Sequence, residues 1–486
     1  MSWQPLPDPA RERPQREALA EAALGRRIAL YTGVGLLGIV LGVALTRLPT
    51  LLIVGGLVGV ASTFVILRWP FVGLLFYTVL FVLRPGEKYP VLNALHLERI
   101  VGALCLASLF LSQLRLEHRL QLDDSKQTRL FFFFILAVTL SVPFAVWRYR
   151  AVEGFIEILR IAGYYIMVAH LIDSRRRLRW FVYTFLLLIA YLCFDSLRGY
   201  FSGGAFLSQG IDRAVGTTSM SNNPNELGTT LASAVPLFLL LALSRSEKWR
   251  RVVLWTIVPC LLIGIVLTGS RASMLGMLGG SAYLWWHSRR RVLTGILGVL
   301  LVIGGFSLMP GQYKTRYSSM THSELDASSM SRVVTWVAGL RMLADHPLFG
   351  VGIRCYGGAN WRYSSGRSSL EAHSLYLQVL GELGLVGTFA FFSFLIEMLR
   401  LNRRTARRLQ GGDAAFEKAV LDGIFTGFLV LLVSGVFGHS LLRRTWYVFA
   451  ATGLAILRTH LRQRQAAAAA AVPERVELHR AAIQPA

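Results

Sequence analysis

Apolar runs recur from about Ile28 to Arg458, separated by short polar, basic or Gly- and Pro-containing stretches. At 1.5 Å per residue, a helical run of about 16–25 residues crosses roughly 30 Å of hydrocarbon. The period-two alternation of an outer-membrane barrel is missing. The pattern therefore predicts an all-α, polytopic integral membrane helical bundle with about fourteen transmembrane helices. The spans fall near 28–46, 49–67, 70–83, 98–114, 130–147, 153–172, 180–198, 227–243, 252–268, 272–287, 292–309, 373–399, 418–438 and 441–458. The third and tenth are short and are read as tilted or half-inserted. Five regions follow: an N-terminal tail (1–27), a bundle of eleven helices (28–309), a long loop (310–372), the C-terminal transmembrane helices (373–458) and a disordered tail (459–486) that contains the low-complexity Ala466–Ala471 tract.

Composition agrees with this pattern. Hydrophobic residues make up 54% and charged residues 16%, with a mean hydropathy of +0.50. An average soluble domain carries about 25% charged residues, so a soluble multidomain enzyme is excluded. The net charge is +24, from 51 Lys and Arg against 27 Asp and Glu. In a soluble chain this would suggest nucleic acid; here it reads as positive-inside charge facing anionic lipid, and no nucleic-acid partner is expected. With the N-terminus in the cytoplasm, about 32 Lys and Arg fall inside and about 18 outside. Arg175-Arg176-Arg177, Arg250-Arg251, Arg289-Arg290-Arg291 and Arg403-Arg404 all land inside, as do both termini. Met1–Arg27 is too polar for a signal peptide, so the first apolar run is expected to direct insertion. Cys105, Cys193 and Cys260 lie in apolar runs and Cys355 in the long loop, with neither CxxC nor HExxH. No disulfide framework, metal site or cofactor is expected.

Two outer loops exceed mere connectors: about Gly199–Glu226, and about Pro310–Ala372. The second holds a helical pattern, Ser331–His346, ended by Pro347. Val333, Val334, Trp336, Val337, Leu340 and Leu343 gather on one side, which predicts a helix lying along the membrane surface and covering something. The outer side keeps arginines that positive-inside bias should remove: Arg271, Arg332, Arg341, Arg354, Arg362, Arg367, Arg443 and Arg444. Guanidinium forks pair with phosphate oxygens, although headgroup contact and snorkelling explain any single one as well. Arg271 opens an apolar helix within Thr268-Gly269-Ser270-Arg271, where backbone N–H groups also favour an anion. Arg332 and Arg341, nine residues apart, point nearly opposite ways. Asn222-Asn223-Pro224-Asn225-Glu226 reads as a turn and helix cap, with Asn225 able to bind sugar hydroxyls.

Of the outer histidines His96, His322, His346, His373 and His439, His373 stands out where the long loop becomes a span. Ser368 and Glu371 have capping-box spacing, which would set the imidazole in the second helical turn. Positive potential there favours the neutral ring, which can take a proton from a hydroxyl. A polar residue at the water interface is the competing account. Glu153, Glu157 and Arg160 share a stripe, and a structural Glu157–Arg160 pair is expected. Glu382, nine residues after His373, is read as a polar contact within the bundle.

Taken in order, Asn223-Pro224-Asn225-Glu226-Leu227, Thr268-Gly269-Ser270-Arg271, Arg332 with Trp336, Asp345-His346-Pro347-Leu348-Phe349-Gly350-Val351-Gly352, His373-Ser374-Leu375-Tyr376 and Glu382-Leu383-Gly384-Leu385-Val386-Gly387 resemble the bacterial O-antigen ligase and O-antigen polymerase superfamily. The resemblance spans about Asn222–Gly387. It implies a GT-C-like glycosyltransferase of the inner membrane, with the long loop and its surface helices in the periplasm. The implied partners are a glycan donor on undecaprenyl diphosphate, a lipid A-core or glycan acceptor, and the bilayer. It implies His373 as catalytic residue and Arg271 and Arg332 as diphosphate-binding; with Arg341 and Asn225 these form the candidate substrate-binding set. The family often has Asn after the histidine, where this chain has Ser374. Direct displacement with inversion, free of metal and of a protein nucleophile, is the expected chemistry. Ligase activity is preferred. The alternatives are O-antigen or exopolysaccharide polymerase, protein O-glycosylation ligase, and, in another class, a transporter or flippase. The last is disfavoured because no repeated halves are visible and the charges sit at the outer face.

Overall fold

The computed structural model describes residues 31–33, 35–36, 50–89, 92, 95–117, 123–208, 210–218, 221–244, 248–318, 327–364, 369–409 and 414–481. The chain divides into two units, Met1–Val65 and Ile66–Ala486. In the first, the described residues are helical and largely exposed; α1 (Thr50–Arg68) begins there. The second unit continues with α2 (Pro70–Leu83), the single turn α3 (Pro85–Lys88), α4 (Leu97–Glu117), α5 (Lys126–Ser141), α6 (Arg148–Leu171) and α7 (Arg175–Phe201). A two-stranded antiparallel hairpin follows, β1 (Phe206–Ser208) and β2 (Ile211–Arg213), with Leu207 opposite Asp212. Then come α8 (Pro224–Leu243), α9 (Lys248–Leu267), α10 (Arg271–His287) and α11 (Arg291–Leu308). The long loop carries α12 (Gly311–Ser318), α13 (Ala327–Asp345) and α14 (Tyr356–Tyr363), and the chain closes with α15 (Leu375–Arg408), α16 (Ala415–Gly435) and α17 (Arg444–Ala481).

The molecule is a helical, multi-pass membrane protein, as the apolar runs predict. Six helices among the described residues are long and apolar enough to cross a membrane. They do not establish the expected fourteen: most of 28–46 lies outside the described residues, and α2 has only 14 residues. The last helix runs through the alanine tract to Ala481, where low complexity had suggested an unstructured tail; alanine has the highest helix propensity.

At the centre lies α8. It starts where Asn223 caps it, Oδ1 accepting from the backbone N–H groups of Asn225 (2.9 Å) and Glu226 (3.4 Å), with Pro224 in the first turn. It packs against α9, α10 and α16. Two glycines of α16 allow the last contact: a Cβ on Gly427 would lie 2.5 Å from the Ser233 carbonyl oxygen, and one on Gly423 would lie 2.7 Å from the Leu237 Cα. Small residues are what close helix packing in lipid requires.

The expected Glu157–Arg160 pair forms, at 3.1 Å, inside a larger network. Glu157 also takes Arg84 at 2.5 Å and Arg444 at 2.8 Å. Arg444 reaches Glu98 at 3.4 Å and donates to the Phe81 carbonyl. This cluster ties the start of α17 to α2, α4 and α6. Its arginines are engaged by carboxylates and hold the fold.

The two glycine-rich segments that carry the resemblance meet backbone to backbone. Gly384 has φ +62 and ψ −162 and breaks α15. Across the break, Val351 N–H donates to the Gly381 carbonyl and Gly352 N–H to that of Glu382, both at 2.9 Å. Leu385 N–H donates to Pro347 at 2.8 Å and Val386 N–H to Leu348 at 3.2 Å. Side chains do not fit between the strands of this zipper: a Cβ on Gly350 would lie 2.4 Å from the Glu382 carbonyl carbon, and one on Gly384 would lie 2.5 Å from that of Leu348.

The helix that the periodicity predicts over Ser331–His346 forms as part of α13, and its apolar side is not the one packed on the protein. Thr335, Ala338, Gly339 and Met342 are buried, and α13 packs by this face on α14 and α15, whereas Val333, Val337 and Leu340 are exposed. In a membrane protein the larger apolar side chains can face lipid, which leaves the smaller ones for close packing.

Gly384→Ala should lower the midpoint of thermal unfolding in detergent, with about 1–3 kcal/mol lost to the left-handed backbone alone. Gly298→Ala, where a Cβ meets nothing within 4 Å, should leave the midpoint unchanged or raise it.

Candidate active site

His373 stands at the junction of the long loop and α15, in a left-handed conformation with φ +47. The helix begins two residues later, with Ser374 at its N-cap. The capping-box expectation is thereby corrected. Glu371 precedes the helix, Ser368 lies outside the described residues, and the imidazole sits before the first turn, not in the second. Neighbouring contacts hold the junction. Thr335 Oγ1 of α13 donates to the Ala372 carbonyl at 3.3 Å, and Tyr356 Oη of α14 donates to the Thr335 carbonyl at 2.6 Å.

A second imidazole faces the first. The His439 ring lies edge-on to His373 with centroids 5.6 Å apart, and its Nε2 is 3.9 Å from Glu226 Oε1. Arg443 packs beside them, its Nη1 donating to the Glu226 carbonyl at 3.1 Å and to Thr230 Oγ1 at 2.9 Å. Arg332 stacks over Phe437, 5.7 Å from its centroid, and Phe437 also meets Trp336. Burial pushes His373 down to about 4, helped by His439 and by the Arg332 charge. Burial, then Arg443, pushes His439 to about 4 as well. Both rings are therefore neutral at neutral pH.

Arginines gather at the Thr268-Gly269-Ser270-Arg271 turn. Ser270 caps α10, its Oγ accepting from Ser273 N–H, so buried Arg271 occupies the first position of the helix. Arg213, delivered by β2, donates through Nε to the Thr268 carbonyl at 2.7 Å and through Nη2 to Asn225 Oδ1 at 2.8 Å. Arg316 of α12 donates to the Gly269 carbonyl at 2.6 Å. Tyr313 and Tyr317 of α12 pack beneath, against Ile211, Ala214 and Leu267. Burial lowers the Arg213 pKa to about 10, and the charges of Arg316 and Arg271 act in the same direction. Three cations thus crowd a turn at a helix N-terminus, an arrangement that favours a multivalent anion.

The structure sorts the candidate residues into groups. His373 and Arg332 come together. Asn225 is joined through Arg213 to the Thr268 carbonyl of the turn that ends at Arg271. Arg341 is set apart: exposed on another side of α13, its Nη1 donates to the Tyr363 carbonyl at 2.9 Å. Glu382 is fully buried and accepts from Tyr356 N–H at 3.4 Å, in keeping with a contact inside the bundle. Sequence reasoning missed Arg213 and Arg316, whose only signal was a basic residue in each outer loop. It named His439 and Arg443 as outer residues but did not pair them with His373 and Glu226.

Residues 256–392 match the family model described as O-antigen ligase. The match includes Arg271, Arg332 and His373 and supports the O-antigen ligase and polymerase superfamily, a glycosyltransferase class. It covers under a third of the chain. No curated protein matches.

Imidazole resonances followed by NMR should place the His373 and His439 midpoints near 4, well below the ordinary 6.5. The unfolded chain takes up these protons at higher pH than the folded one, so stability should fall as pH drops from 6.5 towards 4.

Proposed function

We propose that the protein transfers a glycan from undecaprenyl diphosphate to an acceptor hydroxyl at the periplasmic face of the bacterial inner membrane. As an O-antigen ligase, it would use lipid A-core as acceptor. The observation that carries this reading is one assembly: a neutral histidine beside Arg332, and a three-arginine turn joined to it through Asn225 and Glu226 of one helix start.

The chemistry follows from the groups present. His373 accepts the proton of the acceptor hydroxyl as that oxygen bonds to the anomeric carbon. The bond from that carbon to the diphosphate oxygen breaks, and the electron pair leaves with the diphosphate. Arg271, Arg213 and Arg316 stabilise the charge that develops there, which is where preorganised donors lower a barrier most. Arg332 lies on the histidine side and meets the donor between the two groups. Attack from the face opposite the leaving group inverts the anomeric carbon. Burial keeps His373 unprotonated at neutral pH, with a ring nitrogen able to accept a proton.

His373→Ala should abolish transfer in purified, reconstituted protein while leaving insertion and thermal midpoint intact; full transfer would remove the histidine from the mechanism. Arg271→Lys should lose most of the turnover, since a point charge does not replace the fork. Transfer should persist in EDTA, and a loss restored by magnesium would show a metal requirement. A deletion strain assayed separately for lipopolysaccharide, exopolysaccharide and glycoprotein assigns the acceptor class by which glycan disappears.

A further inference from the structure

A cavity of about 360 Å³ opens beside the histidine pair, within the size range of small-molecule sites. Glu226 and His439 form part of its wall. From there it extends past Arg354 and Glu371 of the long loop to Arg150 of α6. Among the described residues, neither His373 nor any arginine of the 268–271 turn cluster lines it. The cavity is therefore distinct from the anion-favouring turn, and the Glu226–His439 contact marks the boundary.

The lining chemistry differs as well. The turn offers donors: three guanidinium groups and a helix N-terminus. The cavity mixes five guanidinium groups, those of Arg84, Arg150, Arg354, Arg443 and Arg444, with four carboxylates, Glu157, Glu226, Glu371 and Glu382, and the amide of Gln378. With the two signs nearly balanced, the wall suits a neutral polar ligand better than a diphosphate. A lipid tail needs no polar lining. A pyranose ring needs both acceptors for its O–H groups and donors for its ring and hydroxyl oxygens. Glu371 suits that need: its carboxyl oxygens are acceptors on the wall, beside the donors of Arg150 and Arg354. Glu157 is already engaged by Arg84 and Arg444, and Arg354 lies 3.8 Å from Glu153, which leaves Arg150 and Glu371 as the adaptable part of the wall.

We propose that this cavity is the acceptor-saccharide site, and that the acceptor hydroxyl passes His439 to reach His373 while the donor diphosphate occupies the arginine turn on the other side of Glu226. The inference rests on the transferase reading above. It assigns Arg150 and Glu371 to acceptor recognition, away from the reacting atoms.

The test uses the full chain in lipid nanodiscs, with an undecaprenyl-diphosphate-linked glycan as donor and rough lipopolysaccharide as acceptor. Glu371→Gln and Arg150→Ala should each raise the acceptor KM by about tenfold or more, the cost of one hydrogen bond to a charged group, and leave the donor KM unchanged. A raised donor KM, or no change in either, overturns the assignment. Retention of the donor-induced thermal shift in both variants separates this result from misfolding. If the unaltered protein transfers nothing, the transferase reading fails, and lipid-free core oligosaccharide becomes the probe of the cavity. Calorimetric binding that Glu371→Gln weakens still supports a saccharide site; absence of binding to the unaltered protein overturns it.

Discussion

A backbone amide or carbonyl in a low-dielectric bundle has to be satisfied from within the protein, and much of the architecture around the site follows from one place where a helix gives that up. At Gly384 the regular pattern of α15 is interrupted, and the segment 347–352 supplies the missing partners on both sides of the break. The exchange fixes the end of α13, because Gly350 N–H also returns to the His346 carbonyl. With α13 fixed, Thr335 can hold the carbonyl before His373, and the first turn of α15 starts at Ser374. The left-handed histidine is thus the far end of a chain of backbone contacts that begins at a glycine eleven residues downstream. This explains why the two motifs occur together: neither glycine-rich segment closes its own hydrogen bonds.

The arginines divide by what they bond to. Arg84, Arg160 and Arg444 surround Glu157, with Glu98 beyond, so their charge is compensated by carboxylates. The bonds of Arg213 go to a carbonyl and an amide oxygen, and Arg316 donates to another carbonyl. Neutral acceptors orient a guanidinium without cancelling its charge. Keeping such charges close and buried is costly, and the lowered Arg213 pKa registers that cost.

The helical class, the helix start at Arg271, the helix across 331–345 and the Glu157–Arg160 pair were all legible in the sequence, because each depends on local spacing. The face by which α13 packs on the protein was not: Val333, Val337 and Leu340 stay exposed, as a helix along the membrane surface allows, and the small residues Ala338 and Gly339, which no apolar stripe marks, decide the packing. The start of α15 was misplaced because Ser368 and Glu371 have capping spacing, while the loop geometry around His373 depends on contacts from α13 and α14. Arg213 and Arg316 stayed hidden for a similar reason. They are brought to the Gly269 turn by a hairpin and a short helix more than fifty and more than forty residues away in the chain, respectively.

Asn225 and Glu226 are consecutive in the first turn of α8, so about 100° separates their directions around the helix axis. Asn225 turns to the arginine cluster and Glu226 to the histidines. One helix start thereby relates the place where negative charge would leave to the place where a proton would be taken. Its position is set by the Asn223 cap and by the close approach of α16 to α8 through Gly423 and Gly427. The burial of α8 is consequently more than a packing outcome: it would give the proposed two-part transfer site the rigid reference that such a site requires.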